Sequence, residues 1–424
     1  MPAPSDPWWK RLFGAGRDVE AAGDGAGAGL DGPATEPAGA PGALAGDHGF
    51  ATALYAQLAA APGNLLVSPA SLRIALGMAY AGARAATATQ MARTLGLASG
   101  DASHDELSAQ LAGWAAEAAA FDAAPDAPEG ARDQVCLRVA NRLWGQRGYA
   151  FLEPFLAELA DRYGAPLGAL DFQKAPELSR AAINRWVGEQ TADKIKELLG
   201  PGTITAQTRL VLTSALYFLA AWRSPFAASR TRPGPFFTGG AEVEAPLMTQ
   251  TATFPHAVIP GGQLLELAYG AGQYVMNIVL PDARDGAAEL ERAIGRGALA
   301  GWLGGLAPGR VAVTLPRFRF STRLALQPAL EALGMVDAFR ASAADFSAIE
   351  PRRELSISHV VQQAMIDVTE QGTEAAAATA VVMTARGMMA TPTVFRADHP
   401  FVFLIRDARS GAIVFLGRLV DPTG

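Results

Sequence analysis

Residues 366 to 387 read Ile-Asp-Val-Thr-Glu-Gln-Gly-Thr-Glu-Ala-Ala-Ala-Ala-Thr-Ala-Val-Val-Met-Thr-Ala-Arg-Gly. On local propensity this is a helix. Thr373 stands where an N-cap would, and Ala375 to Ala378 are the best helix formers available. Whether that reading holds depends on the rest of the chain, because tertiary context overrides propensity.

The surrounding chain has 424 residues, 50% of them apolar, enough to bury a substantial core. Its one cysteine, Cys136, excludes both an intrachain disulfide and a Cys-based zinc site. With 35 Lys and Arg against 41 Asp and Glu, the net charge is −6. That argues against a nucleic-acid partner, and proteins or small molecules are expected instead. No apolar run reaches the roughly 18 residues of a membrane span. The N-terminal stretch MPAPSDPWWKRLFGAGRD has neither the charged start nor the apolar run of a signal peptide. A cytoplasmic protein with no membrane partner is therefore expected, or a secreted one if an upstream start is missing. The cluster Trp8, Trp9, Lys10, Arg11, Leu12, Phe13 is too short for an interfacial helix.

Residues 1 to 46 are dominated by Gly, Ala, Pro, Asp and Glu, a composition that cannot offset ordering entropy, and read as a disordered tail preceding a domain over 47–424. Gly23, Gly25 and Ala28 match a relaxed dinucleotide fingerprint, but no strand precedes them, so composition explains the match. After His48 an Ala/Leu-rich helix leads to Asn64-Leu-Leu-Val-Ser68-Pro69, where Ser68 caps and Pro69 opens a helix running through Met78. Ala181 to Leu199 shows helical spacing of Ile183, Trp186, Val187 and Ile195. Strand signals follow at 210–218, 274–280, 310–315, 401–405 and 413–416, the last two joined by a hairpin loop over 407–411. Helices early and strands late, without a repeating strand-helix unit, favour an α+β domain.

Catalytic signatures are missing. The sequence has no P-loop, HExxH or GxSxG elbow, and no Cys or His pair at metal spacing, so neither cofactor nor metal is called for. His48, His104, His256, His359 and His399 are scattered. Cys136 sits in the apolar setting Val135-Cys136-Leu137 and reads as a buried structural thiol.

Several segments are similar to those of the serpins, the serine protease inhibitor family. They are NLLVSPASLRIALGMAYAGARAATATQ from Asn64, AINRWVGEQTADKIKELL from Ala182, and the stretch from Leu212 to Phe226 with Trp222. LELAYGAGQYVMNIVLP from Leu265, LPRFRF from Leu315, LEALGMVDAF from Leu330 and ADFSAI from Ala344 continue the series, and HPFVFLIRDARSGAIVFLGRLVDP closes it. The resemblance extends over 48–422 and identifies residues 366–387 as a hinge and reactive loop rather than a helix. It implies an α+β single domain of three β-sheets and about nine helices, with an exposed reactive-centre loop able to enter the largest sheet.

The loop's residues suit that expectation. Alternate side chains of a strand share a face. Thr373, Ala375, Ala377, Thr379, Val381 and Met383 would point one way on insertion, all uncharged; Glu374, Ala376, Ala378, Ala380, Val382 and Thr384 would point the other. Gly372, two residues beyond Glu370, supplies the hinge. The family pattern places the scissile bond after the fourteenth residue beyond Gly372, which is Arg386, followed by Gly387. An arginine there suits the acidic specificity pocket of trypsin-like serine proteases. The resemblance thus implies a monomeric suicide substrate, with no catalytic residues of its own, that forms a covalent acyl complex with such a protease. The alternative is a non-inhibitory serpin acting as ligand carrier or chaperone, although such members tend to place bulky, charged or proline residues in the hinge.

Two departures stand out. The family usually has asparagine at Ser214 and histidine at Gln362, and these positions are expected to hydrogen-bond beneath the opening sheet near Ser68 and Ser71. A Ser/Gln pair keeps a hydrogen bond but removes a titratable group. Gly100 to Asp133 is acidic and Ala-rich, so heparin-type polyanion activation is not expected.

Overall fold

The computed structural model describes residues 44–98, 101–123, 135–373 and 391–423. The expectation for residues 374–390 lies outside these residues, as does that for the N-terminal tail up to residue 43, whereas residues 44–46, read from composition as the end of that tail, already belong to the helix Leu44–Leu58. One compact unit spans Ala43–Gly424.

Nine α-helices occur among the described residues: Leu44–Leu58, Pro69–Ala81, Ala85–Leu95, Asp101–Ala123, Glu153–Tyr163, Pro176–Gln190, Ala287–Gly295, Ala298–Gly304 and Gln327–Ala332. The strands in chain order begin with β1 (Leu65–Val67), β2 (Val135–Gln146), β3 (Gly168–Leu170), β4 (Leu210–Ala221), β5 (Arg232–Phe237), β6 (Glu242–Ile259) and β7 (Gly262–Tyr269). They continue with β8 (Tyr274–Pro281), β9 (Ala307–Pro316), β10 (Phe318–Ala325), β11 (Ile357–Thr369), β12 (Gly372–Thr373), β13 (Thr393–Arg396), β14 (Phe401–Asp407) and β15 (Ile413–Leu419).

Six strands form one sheet in the order β10-β11-β12-β4-β2-β3, and nine form a second network, β1-β15-β14-β8-β7-β6-β9-β13, with β5 on β6. The long β6 divides the second network. Its residues 247–256 pair with β9 and 256–259 with β7, so two sheets meet at one strand and the described residues form three in all.

As expected, Ser68 caps the helix at Pro69, its hydroxyl accepting from the Ser71 N–H, and the helix continues past Met78 to Ala81. The later helix starts earlier than its apolar spacing indicates, at Pro176, and stops at Gln190. Its end is local. Ala192 and Asp193 have φ of 48° and 60°, and the Thr191 hydroxyl donates back to the Val187 carbonyl. Ile195 nevertheless remains buried beside Ile183 and Val187, which is why it shared their pattern.

The six-stranded sheet is covered on both faces. On the outer face the helix Pro176–Gln190 and the chain after it pack on Val211, Ala215 and Val361. Leu212, Leu216, Val360 and Ala364, pointing inward, join the main core with Tyr269, Met276 and Phe403 of the other network. Strand alternation thus fixes which residues of β4 and β11 face the core.

Candidate functional site

β4 and β11 run parallel and pair from Leu210 and Ile357 up to Tyr217 and Met365. Beyond that point they separate. The chain turns at Glu370 and Gln371 and returns as β12, which enters the opening: Gly372 lies opposite Thr369 and Ala221, Thr373 opposite Val368 and Ala220. β12 is antiparallel to both neighbours and keeps the offset at which Gln362 faces Ser214 lower down. Thr373 is therefore a strand residue with no exposed surface, not the N-cap that propensity suggests.

Only glycine fits at the root of this wedge. Gly372 has φ of +148°, and a Cβ there would collide with the Ala220 carbonyl oxygen and stand 2.7 Å from Ala221 Cα. The turn is pinned from both sides. The Trp222 and Phe226 N–H groups donate to the carbonyls of Gln371 and Glu370, and the Trp222 indole N–H to that of Thr369 at 3.0 Å. The Glu370 carboxylate accepts from the Thr231 hydroxyl at 2.7 Å and lies 3.5 Å from Arg317 Nε. Below, the Trp222 indole stacks on the Tyr269 ring, centroids 4.2 Å apart. The Tyr269 hydroxyl shares a 2.7 Å hydrogen bond with Thr373 Oγ1, and burial holds its phenol well above the ordinary range.

Lower in the same sheet, Asn141, Ser214 and Gln362 lie side by side across β2, β4 and β11. Gln362 Oε1 accepts from the Ser68 N–H at 2.7 Å, while its Nε2 donates to the Ser68 carbonyl and to Ser214 Oγ. Ser71 Oγ donates to Asn141 Oδ1, so its one proton is used and Ser214 Oγ donates to it at 3.0 Å. Asn141 Nδ2 donates to the Ser71 carbonyl. The chain of donors runs Gln362, Ser214, Ser71, Asn141 in one direction. All five residues are buried and none titrates near neutral pH.

The structure brings together Ser68, Ser71, Ser214 and Gln362, and separately Glu370, Gly372, Thr373 and Trp222. Glu374, Ala375, Ala376, Ala377, Ala378, Thr379, Arg386 and Gly387 fall outside the described residues. Sequence reasoning missed Asn141 and Tyr269. Asn141 left a faint signal as an uncharged polar residue inside the apolar strand VCLRVANRLWGQ; Tyr269 left none. Among the described residues no group of three His, Cys, Asp or Glu is arranged to hold a metal ion. Cys136 is buried, its thiol pushed up to about 11 by desolvation.

The fold is α+β, and its longest pair of parallel strands parts where β12 of the same chain enters between them. The sequence matches the family model described as Serpin (serine protease inhibitor) over residues 45–422. An uncharacterized serpin-like protein of Thermococcus kodakarensis is 38% identical over 378 residues, 88% of this chain and 84% of that protein. The leukocyte elastase inhibitor of Bos taurus is 38% identical over 369 residues, covering 85% and 93% of the two chains. The crystal structure of Serpin48, a highly specific serpin of the insect Tenebrio molitor, matches with a TM-score of 0.75 at 30% identity, covering 90% of this chain and 97% of that one. The chain belongs to the serpin family.

Proposed function

We propose that this serpin inhibits trypsin-like serine proteases as a suicide substrate, with Arg386–Gly387 as the bait. The protease serine attacks the Arg386 carbonyl carbon. The bond to the Gly387 nitrogen breaks, that nitrogen leaves as a protonated amine, and Arg386 remains as an ester on the enzyme. Residues from 374 onward then follow Gly372 and Thr373 between β4 and β11, carrying the protease along before water reaches the ester.

One observation carries this reading: β12 already occupies the gap in a register that full insertion would continue. Extending its pairing row by row sets residue 379 between Ser214 and Gln362. Thr379 would bring a hydroxyl of its own to the point where the Gln362–Ser214 bond must break, and the small residues before it would pass the same gap without bulky cover to displace. Ser68, Ser71, Asn141, Ser214 and Gln362 act in this reading as the fastening that insertion undoes.

The bovine relative is named for elastase. An arginine at the bait position instead favours enzymes with a carboxylate at the base of the pocket, where guanidinium and carboxylate pair when desolvated. Incubation with trypsin should give a complex that survives a denaturing gel, and mass spectrometry should find the released C-terminal fragment beginning at Gly387. Arg386→Ala should abolish trypsin inhibition with the fold intact. A cleaved band without complex would support a carrier or chaperone; a fragment starting at another residue would move the reactive bond.

A further inference from the structure

We propose that Tyr269 is a positioning residue for loop insertion: its hydroxyl latches Thr373 between β4 and β11, so that the first step of strand entry is complete before any protease arrives. This rests on the inhibitory reading above and adds to it a residue outside the loop and its slot.

Tyr269 ends β7, in the nine-stranded network, whereas Thr373 belongs to the six-stranded sheet. Their hydroxyls meet at 2.7 Å, and neither residue has exposed surface. Among the described residues each hydroxyl has the other as its one hydrogen-bond partner. The Tyr269 ring cannot swing away. It is stacked on Trp222 and set edge-on against Phe218, centroids 5.2 Å apart. The phenol oxygen is thus held at a fixed height beneath the gap, and a hydroxyl at position 373 reaches it only when β12 is docked.

The bond matters because of what its loss leaves behind. A buried hydroxyl without a partner keeps its full desolvation penalty, while removing both partners together is nearly neutral. Without the tyrosine oxygen, docking Thr373 buries an orphaned hydroxyl and the hinge shifts toward the undocked state. Insertion must then part β4 from β11 afresh while the ester is already exposed to water, and more inhibitor is lost as cleaved product.

The test uses the full chain with Tyr269→Phe, Thr373→Val and the double variant. Phenylalanine preserves the stacking on Trp222, and valine keeps the branched shape of threonine. If Tyr269→Phe does not fold, Thr373→Val carries the test alone. In each single variant, amide hydrogen exchange of the peptide covering Val368 to Thr373 should accelerate roughly tenfold to a hundredfold, matching one orphaned hydroxyl. The moles of inhibitor consumed per mole of trypsin blocked should rise as well. The double variant should return close to wild type in both. A purely structural tyrosine predicts no such recovery.

Unchanged exchange in both single variants, or a double variant as impaired as the two singles combined, overturns the latch. Exchange requires no protease. If the wild-type protein forms no covalent complex with trypsin, the inhibitory reading fails while exchange still decides the latch. Complex formation with unaltered exchange and stoichiometry sinks the latch and leaves that reading standing.

Discussion

Gln362 and Gln363 are adjacent, identical in chemistry and opposite in consequence, and replacing each with alanine isolates what holds β4 and β11 together. Gln362 points inward, where its amide makes three hydrogen bonds, to the Ser68 N–H, the Ser68 carbonyl and Ser214 Oγ. In Gln362→Ala the Ser68 carbonyl keeps the Leu72 N–H and Ser214 keeps Ser71, but the Ser68 N–H is left unpaired where no water reaches. One orphaned donor and two lost bonds come to about 3 kcal/mol. Since about 1.4 kcal/mol is a factor of ten, native-state unfolding at a fixed urea concentration should accelerate about a hundredfold, provided the transition state has opened the sheet. Gln363 points to the outer face, and its buried Oε1 has no hydrogen-bond partner among the described residues. Gln363→Ala removes that unpaired acceptor and should leave the rate within a few-fold of wild type or slow it. Loss of near-ultraviolet circular dichroism after a urea jump reads both rates, and equal acceleration at the two positions would refute the assignment of faces and with it the inward fastening.

Two further outcomes follow from the same geometry. Thr373→Arg would place an unpaired guanidinium against Tyr269 and Trp222 at a cost of several kcal/mol, so the variant should be cut at Arg386 yet release active trypsin, whereas Glu374→Arg, which strand alternation would turn to the opposite face on insertion, should keep the wild-type stoichiometry of inhibition. His104 is buried beneath the Tyr80 ring with Nδ1 2.7 Å from the Tyr163 hydroxyl, and burial lowers its pKa, as it does that of His359. A histidine depressed in the folded state contributes stability that is intact above its unfolded value near 6.5 and is lost as the pH falls through the folded value. Unfolding should therefore quicken on acidification from pH 7 to 5, and His104→Gln and His359→Gln should each remove part of that slope.

Much of the frame was legible because it rests on local chemistry. Pro69 after Ser68 marks a helix start by capping alone, and the β14–β15 hairpin follows from two apolar runs around Asp407 to Gly411. Strand β6 was not legible. Pro246 and Pro255 argue against a strand of that length, yet each faces another proline across the ladder, Pro233 and Pro308. Such pairs fit the narrow sites of an antiparallel ladder, where facing residues exchange no N–H···O bonds. The end of the helix at Gln190 was missed because Ile195 keeps the apolar spacing while the backbone has already left the helix. At the site, Thr373 carries contradictory signals, cap by propensity and strand by context, and the slot between β4 and β11 decides between them. Tyr269 lies 104 positions away in another sheet, and no pattern along the chain connects it to Thr373. The buried pair of Arg418 with Glu291, 3.0 Å apart and joined by the Tyr55 hydroxyl, was hidden for the same reason.

The central claim is that the chain beyond Thr373 completes the strand that β12 begins. Nicking the protein at Arg386 frees that chain to enter, and the melting temperature of the nicked form against the intact one reads the result. Insertion would add about thirteen residues of central strand paired on both sides, so the nicked protein should melt far above the intact one. A nicked form that melts with the intact protein would mean that the gap takes up Gly372 and Thr373 and nothing more.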